Sequence, residues 1–149
     1  VDIKSVLNDE LIFINESFNS SEELFKFVGE KASSLELVNS GFVEAITKRE
    51  GEYPTGLQLE KFGVAIPHTD AIHIKDEFIS IITLREPVAF KPMDGSSDNV
   101  KVNLVFVLGL KKPEGQLGSL QTIMQVIQDE TKVQNILNAN DSDSIIKEL

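Results

Sequence analysis

The chain has no cysteine, no tryptophan and a single tyrosine among its 149 residues. Without cysteine there is no disulfide, no thiolate-bound metal and no cysteine nucleophile. Basic residues are scarce, 14 against 24 acidic ones, for a formal net charge of −10. A chain of that charge repels a phosphate-rich polymer, which argues against nucleic-acid binding. Plain solubility and attraction to basic protein surfaces both fit it. No apolar run nears the roughly 20 residues that cross a bilayer. Residues 1–10 lack the apolar stretch of a signal peptide. The nucleotide-binding patterns G-x-G-x-x-G and G-x-x-x-x-G-K-[ST], the G-x-S-x-G elbow and H-E-x-x-H are all missing.

What is present suits one domain over 1–149. Hydrophobic residues make up 41%, and nine phenylalanines supply apolar mass for a core. Leu11–Ile14 reads as a short buried strand. Ser20 followed by Glu23 has capping-box spacing, and Leu24, Phe27, Val28, Ala32 and Leu35 continue at helical intervals. Asn39 or Ser40 is expected to cap a second helix that carries Val43 and Ile46 and stops near Gly51. Arg49 falls in its last turn. Tyr53–Gly56 reads as a turn and Gly63–Ile66 as a strand, with Pro67 expected to end the ladder for want of an N–H. Phe78–Leu84 is strand-like, and residues 86–99, with two prolines and Asp94-Gly95, read as loop. Val100–Leu108 is the strongest strand signal, with Val100, Val102, Leu104, Phe106 and Leu108 expected on one face. Lys111–Gly115 reads as loop. Three helical stripes follow, the first over Leu117–Ile127, the second over Val133–Leu137, and the last opened by Asp141 or Ser142. Alternating strands and helices predict an α/β layer fold, in which sites collect at the carboxyl ends of strands.

His68 sits at such an end. A histidine there is a structural residue or a functional one. Imidazole ionises near ~6.5, so a neutral ring nitrogen is available as a nucleophile toward phosphorus. The N–P bond it forms is labile, which suits a relay. Such a site needs donors for the phosphoryl oxygens, and backbone amides after Pro67, the Thr69 hydroxyl and an arginine are at hand. The group His68, Asp70 and His73 also admits a metal site, although its spacing matches no common ligand set.

Arg49-Glu50, Pro54-Thr55-Gly56 and Gly63-Val64-Ala65-Ile66-Pro67-His68, in that order and spacing, resemble the signature of enzyme IIA of the bacterial phosphoenolpyruvate-dependent sugar phosphotransferase system (PTS), fructose–mannitol type. The resemblance extends over essentially the whole chain. Ala65–Asp70 followed by His73 looks most like the galactitol-type components.

The resemblance implies an α/β (α+β) fold with a mixed β-sheet flanked by helices, in the cytoplasm and without a cofactor. It implies that His68 takes a phosphoryl group from phospho-HPr and passes it to a cysteine of enzyme IIB, and so only indirectly to the membrane component IIC. Arg49 would pair with the phosphoryl oxygens; otherwise it is a solvated cation at a helix C-terminus. Mannitol-type members carry a second histidine where this chain has Gln116, and glutamine cannot take a proton. His73 is either a stand-in or a surface turn residue. Thr55 and Thr69 either hydrogen-bond the site or satisfy local backbone. Two other readings stay open. One is a regulatory module of the same fold, acting on a transcriptional or nitrogen-related pathway through His68. The other is a metal-dependent hydrolase built on His68, Asp70 and His73. The sugar is not named by the sequence, because a IIA domain has no need to touch it.

Overall fold

The computed structural model describes residues 3–149, apart from the side chains of 113–116. Five strands, β1 (Leu7–Glu16), β2 (Gly56–Gln58), β3 (Gly63–Ala65), β4 (Phe78–Phe90) and β5 (Val100–Gly109), form one sheet in the order β1-β4-β5-β3-β2. β1 runs parallel to β4 and β3 parallel to β5, while β4–β5 and β2–β3 are antiparallel. The sheet is mixed, as expected.

Helices α1 (Ser21–Ser34), α2 (Phe42–Glu52), α3 (Pro113–Ile127), α4 (Glu130–Asn138) and α5 (Ser142–Ile146) cover it. Two apolar clusters result. Leu24, Phe25 and Val28 of α1 and Phe42 and Ile46 of α2 pack with Ile82, Val105 and Val107. Ile123, Val133, Ile136 and Ile145 of α3 to α5 pack with Ile79, Ile81, Leu104 and Phe106. Alternate residues of β4 and β5 therefore feed opposite clusters, the pattern of a central strand buried on both faces. Each large apolar side chain so enclosed contributes about 1.5–3 kcal/mol.

Local chemistry sets several boundaries. Ser20 caps α1 by accepting from the Glu23 N–H at 3.2 Å. The Glu23 carboxylate reaches back to the Asn19 N–H, one residue earlier than a capping box requires. The cap of α2 is Gly41, not Asn39 or Ser40; Asn39 instead accepts the Gly41 N–H on its side chain. Proline explains two further departures. Pro113 opens α3 inside the expected loop, because its missing N–H is one that a first helical turn leaves unpaired. Pro87 lies within β4, which continues to Phe90 where loop was expected. The register shift between Thr83 and Val88 is a bulge that spares Pro87 a ladder bond.

β5 departs from the one-face expectation. Val100 and Val102 join the α1–α2 cluster, whereas Leu104, Phe106 and Leu108 join the other. The change of side falls at Asn103, opposite the β4 bulge, where its side chain accepts the Gly63 N–H at 3.1 Å. β2 was not anticipated beyond its turn. It is a short edge strand paired to β3.

Candidate functional site

β3 leads to His68, which lies just beyond its carboxyl end. Val64 and Ala65 pair with Leu104 and Val105, and the ladder ends there, before Pro67. Proline lacks a donor but keeps its acceptor: the Leu108 N–H donates to the Pro67 carbonyl at 3.0 Å, and His68 bridges Leu108. The ladder thus stops ahead of Pro67, as expected, and a single isolated bridge follows it. His68 is half-buried, with Nδ1 3.0 Å from the Ile66 carbonyl oxygen. A carbonyl can only accept, so Nδ1 carries the proton in this contact. In the neutral ring the free lone pair is then on Nε2.

Arg49 comes from the last turn of α2. Its Nη1 lies 3.4 Å from Asp70 Oδ1, and its guanidinium carbon stands 5.3 Å from the centre of the Tyr53 ring. The structure thus joins Arg49 to the segment that begins with His68. Thr69 is buried.

Thr55 is buried too, and its bonds run in a definite direction. Its hydroxyl accepts the Ile66 N–H at 3.2 Å and donates to Glu50 Oε1 at 2.8 Å, while its own N–H donates to Glu50 Oε2 at 2.7 Å. Burial pushes the Glu50 carboxyl up from its ordinary value, and the two Thr55 donors act against that shift.

His73 is held against the start of α2. It ends a single turn of 3-10 helix, Ala71–His73, and its ring rests against Gly41 at the start of α2. Its carbonyl accepts the Asn39 N–H, and the Asn39 side chain donates to the Ile72 carbonyl. This is the bonding of a fastened turn. The side chain of Gln116 falls outside the described residues. Ile72 is 78% exposed, whereas Ile74 is buried. Among the described residues no three His, Cys, Asp or Glu side chains gather closely enough to hold a metal ion. No described helix is long and apolar enough to cross a membrane.

Residues 5–149 match the family described as phosphoenolpyruvate-dependent sugar phosphotransferase system, EIIA 2. The chain belongs to this EIIA family. It is 31% identical, over 121 residues, to a PTS galactitol-specific EIIA component of Escherichia coli, spanning 81% of this chain and 80% of that protein. Its fold is that of mannitol IIA from Escherichia coli, with a TM-score of 0.77 at 20% identity over 95% of this chain and 96% of that one. A complex of mannitol enzyme IIA with phosphorylated mannitol enzyme IIB, also from Escherichia coli, gives a TM-score of 0.79 at 19% identity over 95% of this chain and 94% of that one. As an EIIA component, the chain is a phosphotransferase that carries a phosphoryl group as phosphohistidine.

Sequence reasoning passed over Glu50 except as part of a motif. The signal was there. Phe42, Ile46 and Glu50 fall at four-residue intervals, so a carboxylate continues the buried stripe of α2.

Proposed function

We propose that His68 Nε2 is the atom that carries the phosphoryl group, accepting it from phospho-HPr and giving it to a cysteine of enzyme IIB. The observation that carries this is the 3.0 Å contact from Nδ1 to the Ile66 carbonyl, which leaves Nε2 as the nucleophilic nitrogen on a half-buried ring.

The Nε2 lone pair attacks phosphorus. The P–N bond to the donor imidazole breaks, and its electron pair returns to that ring. Once Nε2 is substituted, the ring still holds its Nδ1 proton and bears positive charge. The Ile66 carbonyl dipole then faces that charge and steadies it. In the second step the IIB thiolate attacks phosphorus, the N–P bond breaks, and Nε2 recovers its lone pair. Arg49 supplies a guanidinium fork for the phosphoryl oxygens as charge spreads over them. An ion pair at 3.4 Å with an exposed carboxylate is loose enough to be exchanged for a phosphoryl group. Ile72, 78% exposed and four positions beyond His68, offers apolar surface to a partner.

Likeness to a galactitol-specific component supports galactitol or a related polyol as the sugar served. The chain then acts in the cytoplasm as one EIIA domain over 1–149, with the membrane component IIC reached only through IIB. The test is intact-mass spectrometry at neutral pH after incubation with phosphoenolpyruvate, enzyme I and HPr. Wild type should gain one acid-labile phosphoryl group and His68→Ala none. A labelled His68→Ala protein would move the carrier atom to another residue.

A further inference from the structure

Four hydrogen bonds tie the ring of His68 to a buried carboxylate. His68 Nδ1–H donates to the Ile66 carbonyl, the Ile66 N–H donates to Thr55 Oγ1, and the Thr55 hydroxyl and N–H both donate to Glu50. Every donor points toward Glu50. The N–H and C=O of Ile66 belong to adjoining peptide groups, so the link transmits position more than charge.

Glu50 is an unusual choice for its place. It is 8% exposed and continues the apolar stripe of α2, where an aliphatic side chain would pack without desolvating a charge. Its two bonds to Thr55 are what the carboxylate adds. Thr55 is 4% exposed, so its hydroxyl has no easy recourse to water. The arrangement pins the backbone of Ile66 from one side while His68 leans on it from the other. Glu50 also adjoins Arg49 on the same helical turn, so one clamp sets the end of α2 against the end of β3.

We propose that Glu50 and Thr55 are positioning residues for phosphoryl transfer: by holding Ile66 they fix the ring orientation and the Nδ1–H tautomer of His68. This rests on the reading of His68 as the carrier. Thr55→Val keeps the shape and removes the hydroxyl. Glu50→Gln sets an amide N–H₂ against one of the Thr55 donors. Thr55→Ser keeps the hydroxyl and should rescue the function.

The experiment has two readouts on wild type, Thr55→Val, Thr55→Ser and Glu50→Gln, with folding checked by circular dichroism. One is the rate of labelling by phosphoenolpyruvate, enzyme I and HPr. The other is the ring ¹⁵N spectrum of His68, which reports the tautomer and needs no phosphoryl donor. Thr55→Val and Glu50→Gln should label roughly ten- to a hundredfold more slowly, the scale of misplacing a reacting group. Their His68 resonances should shift from a single Nδ1–H form to a mixture. Thr55→Ser should stay near wild type in both. Folded Thr55→Val and Glu50→Gln proteins with wild-type labelling and an unchanged tautomer overturn the proposal while the carrier reading stands. If Thr55→Val does not fold, Glu50→Gln decides by the same criteria. If wild type itself takes no label, the carrier reading falls and the ¹⁵N spectrum alone decides whether this clamp orients the ring.

Discussion

Arg49 reaches across from α2 to Asp70, two positions beyond His68, and meets its carboxylate at 3.4 Å with both side chains open to solvent. Exposed pairs of this kind contribute about 0–1 kcal/mol. The contact matters more for where it holds the guanidinium than for stability. Asp70→Asn should therefore leave the urea midpoint nearly unchanged. Arg49→Ala should slow phosphoryl transfer by roughly a hundredfold, as loss of a charge-stabilising donor does. Arg49→Lys should recover part of that, since it keeps the charge and loses the fork. Urea unfolding checks the first and rapid-quench labelling the other two, and a wild-type rate in Arg49→Ala would remove Arg49 from the transfer step.

Glu50 should make stability depend on pH in an acidic window. Desolvation raises its pKa in the folded protein above the ordinary value near 4.5. The folded state then holds this proton more tightly than the unfolded chain. The stability gained on protonation is fully present below the ordinary value and is lost as pH rises through the raised one. Urea unfolding at a series of pH values should show wild type gaining on Glu50→Gln as pH falls from neutrality toward 4.5. A flat difference would mean that the Thr55 donors cancel the burial.

Gly63 gives β3 its close approach to β5. A Cβ there would run into the carbonyl oxygen of Lys101, a backbone atom with little freedom to yield. Gly63→Ala should cost about 1–3 kcal/mol, the usual scale of overpacking. It should also slow labelling of His68, since β3 carries that residue. Urea unfolding and the labelling rate check the two effects separately.

Glu36 adopts a left-handed backbone, φ 60°, just past α1, where its N–H donates to Ser33 and the next N–H donates to Ala32. Glycine suits that position and glutamate does not. Glu36→Gly should raise stability by about 0.5–1 kcal/mol in urea unfolding, with labelling unchanged. A loss of stability would show that the greater freedom of glycine in the unfolded chain outweighs the relieved strain.

The layer order and the place of His68 were legible because they rest on local patterns. Apolar periodicity, Ser20 before Glu23, and a short β-branched run ending at Pro67 each announce an element by themselves. What escaped notice depends on pairs far apart in sequence. Pro87 reads as a breaker until the partner strand shows that a bulge accommodates it. The change of side at Asn103 is set by that same bulge. His73 looked like a candidate because it lies five positions from His68, yet the turn carries it toward Gly41. Thr55 reads in the sequence as bonding either the site or local backbone. Its hydroxyl is spent on Ile66 and Glu50, a bonding pattern that exists only once three separate segments meet.

The segment from Pro67 to Ile74 is fastened at both ends, by the Leu108–Pro67 bond at one and by the bridge from Ile74 to Val38 at the other, with Asn39 holding the turn between. A surface fixed in this way loses little freedom when another protein lands on it. Association then needs few contacts to be productive, and dissociation has no folded-over loop to unwind. For a molecule visited in turn by a donor and an acceptor, that is an economy of time: each visit can be brief, and the rate at which the group moves on is set by collision and chemistry rather than by rearrangement of the carrier.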